Sequence, residues 1–358
     1  MVDCRRWAGE SVDMSVREFF FDVRKLGIPV VQTGFESYLT DESRFQGHAE
    51  GLIRPQHPRQ VADALARANH WNIPVTVVSG KTSLTGACVP VGGVIMDVKN
   101  LDSIDGRDPS RVGPGVVLRR YKEHVHDKGL FYPPDPTSED SCTLGGNVAC
   151  NASGALSYLY GPTRAYIRGI KLVLASGATL DLERGEVVSR DGFFSVPAGT
   201  LVPEGSRDLV IPVPQRGAPP WHICKSAAGL YAADPMDLVD LFIGSEGILG
   251  VTVELRTVLL PRRRPHFGLL LYLPNREIAV ALVTLLDNFK RVAYDGESDR
   301  QDRIAAGLQT LVGEAVTCDP KRFRSIMPAC MEWFSRSVAP LLSPMRARQL
   351  AQAYGCLY

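Results

Sequence analysis

The amino-acid sequence predicts an α+β fold in two parts, and three observations predict it. Short apolar, β-branched runs at residues 73–78 and 93–98 flank the stretch Ser79-Gly80-Lys81-Thr82-Ser83-Leu84-Thr85-Gly86, a strand–loop–strand pattern. Just upstream, residues 57–71 carry Val61, Leu65 and Ala68 at helical spacing behind Pro58, so a helix feeds the first of these strands. Glycine (33) and proline (25) are frequent enough among 358 residues to require many turns, as a strand-rich fold with long loops does. A chain of that length can bury two cores.

Composition removes several function classes. Hydrophobic residues make up 45% and charged residues 22%, as in an ordinary soluble globular protein. Lys and Arg number 40 against 39 Asp and Glu, so the charge balance gives no reason to expect nucleic acid. Eight cysteines (Cys4, Cys88, Cys142, Cys150, Cys224, Cys318, Cys330 and Cys356) form no C-x-x-C pair. Zinc ribbons, iron–sulfur clusters and thioredoxin chemistry therefore lack support, and no metal is expected. Scattered thiols fit a reducing cytosol. The first ten residues have charge but no apolar stretch, unlike a signal peptide. Apolar runs such as 269–273 fall far short of the ~20 residues a membrane helix needs. The expected location is cytoplasmic, with peripheral attachment to a membrane left open.

In chain order, residues 14–26 alternate charge with Phe19, Phe20, Phe21 and Val23, the pattern of an amphipathic helix packed on the main body. Residues 118–128 read as another helix. His124 and His126 fall on different faces of it, so they are expected to be solvated and not a metal pair. Residues 131–161 read as one long irregular loop, a length that is uncommon unless a ligand organises it. Residues 167–175 and 179–182 form a hairpin around Ser176-Gly177. Residues 190–220 read as irregular and 225–231 as a short glycine-containing segment. Residues 237–243 are helical, 244–250 break, and 251–260 alternate as a strand. The tract Pro261-Arg262-Arg263-Arg264-Pro265 marks a domain boundary. A strand at 267–273, a helix at 278–288 and a return strand near 291–294 then begin a β-α-β unit, and 331–342 read as a helix.

The stretch 79–86 offers backbone N–H groups and hydroxyls in a concave turn, the kind of nest that holds an anion. It is not a Walker A loop, because the leading glycine position is Val75. It is not a dinucleotide G-x-G-x-x-G either, since Gly80 and Gly86 stand too far apart. On this stretch alone, a ligand-free Gly/Ser turn remains the alternative.

Six segments in order carry a resemblance: the loop 79–86; Pro133-Pro134-Asp135-Pro136; Gly145-Gly146-Asn147 followed by Asn151-Ala152-Ser153-Gly154; Tyr160-Gly161; Lys225, Gly229 and Tyr231; and Gly244-Ser245-Glu246-Gly247-Ile248-Leu249-Gly250. Together they resemble the PCMH-type FAD-binding domain of the vanillyl-alcohol oxidase and FAD-linked oxidase family. The similarity is to the branch that oxidises D-lactate and glycolate. It spans roughly residues 48–261, with Lys81 standing where the family usually has glycine. It implies two α+β subdomains for FAD at 48–261, a helical lead-in at 1–47, and a partial α/β cap or substrate domain at 262–358.

The resemblance also implies roles. Ser79, Gly80, Lys81, Thr82, Ser83, Leu84, Thr85 and Gly86 would wrap the diphosphate. Pro133, Asp135 and Ser138 would line the isoalloxazine and ribityl side. Gly145, Gly146, Asn147, Asn151, Gly154 and Tyr160 would hug flavin and diphosphate, and Glu246, Gly247 and Val251 would sit near the adenosine. Some relatives hold flavin covalently through a histidine in the first loop. None lies between His70 and His124, so non-covalent FAD is expected.

The implied reaction is oxidation of a 2-hydroxy acid (D-lactate, glycolate or D-2-hydroxyglutarate class) by hydride transfer to flavin N5. Electrons would pass to a quinone, a cytochrome or an electron-transfer flavoprotein. In this branch the base and metal ligands are histidines and an acid in the C-terminal cap. The last histidine here is His266, and Met331-Glu332-Trp333-Phe334 resembles a mid-cap segment, so the cap reads as truncated and no catalytic residue is assigned. His222 and Lys225 lie close in sequence to the flavin segments, but an ordinary surface or core role is the simpler reading. The alternative is a flavin-binding subunit or catalytically incomplete paralogue of a glycolate-oxidase-like complex, with a partner supplying the missing cap residues. An enolpyruvyl reductase shares the fold, but the Pro-Pro-Asp-Pro and Gly-Ser-Glu-Gly segments argue against it.

Overall fold

A computed structural model describes residues 10–197, 200–202, 208–215, 229–262, 271–273, 275–295, 333–335 and 355–357. The chain divides into two compact units: residues 1–152 with 162–263, and residues 153–161 with 264–358.

The first unit contains two sheets. Helix α1 (Glu10–Lys25) leads to strands β1 (Val30–Val31) and β2 (Gly51–Ile53). Helix α2 (Pro58–His70) then crosses to β3 (Val75–Val78), followed by β4 (Val94–Asp97). Their order is β1-β2-β4-β3, with β2, β4 and β3 parallel and β1 antiparallel at one edge. Strands β2 and β3 run parallel on either side of β4, and α2, with proline in its first turn, supplies the crossover between them. All four residues of β4 are buried, so this central strand reads as a continuous apolar run closed by Asp97.

The second sheet of this unit has five strands in the order β10-β8-β7-β12-β5. They are β5 (Arg111–Val112), β7 (Ile167–Val173), β8 (Thr179–Glu183), β10 (Leu201–Val202) and β12 (Val251–Thr257). Strands β7 and β8 are the hairpin expected around Ser176-Gly177, with Val173 opposite Thr179. Between β5 and β7 run α3 (Leu118–Asp127), β6 (Leu130–Phe131), α4 (Leu144–Ala149) and α5 (Ser157–Tyr160); α5 belongs to the other unit. A shared core joins Val16, Phe19, Phe20 and Val23 of α1, Val61, Ala64, Leu65 and Ala68 of α2, Val94 and Met96 of β4, and Val173, Val251 and Val253 of the larger sheet. Burial of these side chains is the main force holding the two sheets and two helices together.

Of the second unit, the described elements are α5, β14 (Leu271–Leu273), α7 (Arg276–Asp295), β15 (Trp333–Ser335) and β16 (Gly355–Leu357). The three strands pair antiparallel in the order β14-β16-β15.

Several local expectations are corrected. The stretch 131–161 is not wholly irregular, because Thr143 caps α4 and α5 follows. A glycine-rich, six-residue helix has too little periodicity to announce itself. The stretch 190–220 holds β9 (Phe193–Val196), β10 and β11 (Leu209–Pro212), with β9 and β11 paired antiparallel. Tertiary pairing overrides the proline and glycine there. The return strand expected near 291–294 is the last turn of α7, which runs unbroken to Asp295. Within the helix expected at 331–342, Trp333–Ser335 are strand. His124 is not solvated: it is half-buried, and its Nε2 is enclosed without a hydrogen-bond partner among the described residues. His222, Lys225, His266 and the rest of 331–342 lie outside the described residues.

Candidate cofactor site

Three loops that are far apart in sequence meet in the first unit. The first follows β3. Gly80 approaches the turn before α4 so closely that a Cβ there would stand 2.9 Å from the Ser141 carbonyl oxygen and 3.2 Å from the Thr143 nitrogen. Only glycine allows backbone to meet backbone at that distance. Beside it the buried Thr143 hydroxyl donates to Ser79 Oγ at 2.9 Å, while its oxygen also accepts the N–H of Gly146. One threonine thus caps α4 and pins the first loop.

The third loop joins from the other end. Thr85 Oγ1 donates to Glu246 Oε1 at 3.0 Å. The N–H of Glu246 donates to the Ala149 carbonyl at 2.8 Å, and that of Gly244 to Val148 at 2.9 Å, so the 244–247 turn lies along the end of α4. Glu246 and Gly247 both have left-handed backbone (φ 54° and 79°). Asn151 is left-handed as well (φ 46°) and accepts the Arg164 N–H on Oδ1.

Arg164 holds this arrangement in place. Its guanidinium donates to the Asp240 carbonyl and carboxylate and to the Ile243 carbonyl, and lies 3.9 Å from the centre of the Tyr231 ring. Asp240, at 13% side-chain exposure, also accepts from Arg184. Burial pulls the Arg164 pKa down, with Asp240 opposing.

The Pro133–Pro134 segment is buried behind Tyr132, whose ring meets Tyr121 and Tyr166 edge-on at centroid distances of 5.2 and 6.1 Å. The fully enclosed Tyr132 hydroxyl has no partner among the described residues, and burial raises its pKa far above the ordinary range. Ser138 contributes its carbonyl, which accepts from Cys142 and closes the turn leading to Thr143.

A segment outside all the predicted motifs also borders the first loop. Lys81 Nζ donates to the Ser37 carbonyl at 2.6 Å. Cys88 Sγ lies 3.4 Å from Asp41 Oδ2, and a Cβ on Gly86 would meet the Phe45 ring at 2.7 Å. Burial first, and the Asp41 carboxylate second, push the Cys88 thiol up to about 12. The Cys88 thiol is therefore protonated near neutral pH.

Most of the expected residues are thus brought together. Ser79, Gly80, Thr85, Gly145, Gly146, Asn147, Asn151, Glu246 and Gly247 belong to the joined loops. Thr82 and Ser83 are half-buried on the first loop, Leu84 is exposed, and Asp135 is half-buried. Gly154 and Tyr160 fall in the other unit, where Gly154 donates to Ser157 at the start of α5. The Lys81 side chain departs from the expectation by turning to Ser37. Sequence reading missed Thr143, although a threonine ahead of a short helix is a capping signal. It also missed Arg164 and Asp240, whose roles depend on contacts far apart in sequence.

Two features fit a nucleotide cofactor. The amide Nδ2 of buried Asn147 finds no partner among the described residues beyond the weakly accepting Cys142 sulfur beside it. A cleft of about 380 Å³ runs from Leu65, Ala68 and Asn69 of α2 past Asn72, Val75 and Val77 to Gly247 and Val251, with a largely apolar lining. The joined loops, an enclosed amide and a nearby cleft on one mixed scaffold fit a nucleotide-cofactor domain. Residues 49–183 match the family described as FAD binding domain. This part of the chain is an FAD-binding domain of the PCMH type, and its cofactor is FAD.

Among curated proteins, the chain is 29% identical over 255 residues to D-lactate dehydrogenase of Anaerostipes hadrus, covering 69% of this chain and 44% of that protein. It is 27% identical to glycolate oxidase subunit GlcD of Bacillus subtilis (strain 168), covering 67% and 43%. It is 28% identical to D-2-hydroxyglutarate dehydrogenase of Stutzerimonas stutzeri (strain A1501), covering 70% and 46%. The chain therefore spans less than half the length of these relatives. Among solved structures, alkyldihydroxyacetonephosphate synthase superposes with a TM-score of 0.58 at 15% identity, over 95% of this chain and 54% of that one. That likeness concerns the fold. No helix among the described residues is long and apolar enough to cross a membrane.

Proposed function

We propose that the protein is an FAD-dependent oxidoreductase acting on a small 2-hydroxy acid, with residues 48–261 holding a non-covalent cofactor and 262–358 belonging to a substrate domain. The observation that carries this reading is the meeting of the 79–86, 141–151 and 244–247 loops through Ser79–Thr143, Gly80–Ser141 and Thr85–Glu246. The names of the relatives supply the substrate class. When bound, the flavin would accept a hydride from the carbon bearing the hydroxyl.

The chain's own residues bind and orient. Backbone N–H groups and hydroxyls of Thr82, Ser83 and Thr85 would hold the diphosphate. Asn147 would donate its enclosed amide to a cofactor oxygen. Val75, Val77 and Val251 would exclude water from the ring in the cleft. Gly154, Tyr160, Pro133, Asp135 and Ser138 remain assigned to the flavin side by resemblance. A base for the substrate hydroxyl is not assigned.

The test uses the full purified chain. It should be yellow or take up FAD with a quenched flavin fluorescence, and acid should release the flavin. Asn147→Leu should weaken uptake while leaving the folded protein intact. With a dye acceptor, D-lactate, glycolate or D-2-hydroxyglutarate should reduce the bound flavin. A chain that takes up no FAD refutes the reading. A second reading, a flavin-binding subunit of a larger complex, is favoured by the subunit status in the names of the glycolate oxidase relatives. It is the result if FAD binds and no hydroxy acid bleaches it.

A further inference from the structure

The carboxyl ends of the three parallel strands carry a cluster of which the resemblance names only Lys81. Arg54 follows β2, Asp97 ends β4, and Lys81 lies three residues beyond the end of β3. Ligands of parallel sheets bind at this end of the strands. Tyr38 ties the cluster together. Its hydroxyl donates to Asp97 Oδ2 at 2.8 Å, and Arg54 lies 3.6 Å from the same carboxylate. The Lys81 ammonium sits 4.4 Å from the centre of the Tyr38 ring, and the Arg54 guanidinium 5.7 Å.

The one carboxylate of the cluster, Asp97, pairs with Arg54. Among the described residues no carboxylate pairs with Lys81, whose contacts are the Ser37 carbonyl and the Tyr38 ring. Its backbone is left-handed (φ 56°), a conformation glycine adopts freely and lysine only at a cost. A strained residue at a ligand loop is a reason to look for a role.

Resting on the FAD reading, we propose that Lys81 supplies the cation for the cofactor's diphosphate: the uncompensated ammonium, held ready on Ser37 and Tyr38, neutralises phosphate charge when the nucleotide enters the loop. Lys81 is then a determinant of FAD affinity peculiar to a loop in which backbone donors otherwise hold the anion. The neutral carbonyl and the ring are partners it can leave without exposing a buried counter-charge.

The experiment measures FAD affinity of the full chain by flavin fluorescence over a range of sodium chloride concentrations. Lys81→Met should weaken binding about five- to tenfold at low salt and flatten the salt dependence. Lys81→Arg should retain most of both. Lys81→Gly, which suits the backbone, should melt at or above the wild-type temperature yet bind FAD as weakly as Lys81→Met. If Lys81→Met and Lys81→Gly bind FAD with wild-type affinity and salt response, the proposal is overturned while the FAD reading stands. If the wild-type chain binds no FAD, both fall.

Discussion

Replacing Gly80 by alanine tests the architecture of the site directly. Gly80 is not left-handed, so alanine suits its backbone, and the effect isolates the space a methyl group would need. That space is occupied by backbone: the Ser141 carbonyl oxygen at 2.9 Å, Cys142 Cα at 3.1 Å and Thr143 nitrogen at 3.2 Å. A flexible side chain could swing away, but a turn fixed by the Ser138 carbonyl and by the cap of α4 cannot. Overpacking of this kind costs about 1–3 kcal/mol. Separation of the loops would also stretch the buried Thr143–Ser79 hydrogen bond, a loss of about 1 kcal/mol. The sum, about 2–4 kcal/mol, corresponds to a fall in melting temperature of roughly 5–15 °C for a unit of this size. The assay is thermal and urea unfolding beside Gly106→Ala, where a Cβ meets nothing within 4 Å and the change should stay within about 0.5 kcal/mol. Equal stability of the two variants would refute the claim that the first loop is seated on the Thr143 turn.

Three further outcomes are expected. Asp240→Ala should cost about 3–5 kcal/mol in urea unfolding, since it strips the largely buried Arg164 of its carboxylate and frees Arg184 as well. Thr143→Val should cost about 1–3 kcal/mol, because it removes the cap of Gly146 and the partner of Ser79 without changing shape. Cys88, with its folded pKa raised to about 12 against 9.0 for the free thiol, binds its proton more tightly folded than unfolded. Its contribution is complete below pH 9.0 and is lost as pH rises toward 12; a Cys88→Ser variant should show a flatter loss of stability over that window. Asp41→Asn should speed alkylation of Cys88 at pH 8, followed by mass spectrometry, and an unchanged rate would contradict the assigned cause.

The sequence by itself determined the local grammar. Periodic apolar residues gave α1 and α2, β-branched runs gave β3 and β4, and Ser176-Gly177 gave the β7–β8 hairpin, because each depends on neighbours within a few positions. Glycines at 80, 145 and 247 marked loops that meet in the first unit. Tertiary structure decided the rest. That Thr143 rather than a glycine joins two loops, that Arg164 and Asp240 brace the third, and that Lys81 turns to Ser37 all depend on contacts more than forty residues apart. The β9–β11 and β8–β10 pairings within and from 190–220 are likewise set by partners outside each strand. Short segments take their conformation from what packs against them, and that free energy is written in no single stretch of chain.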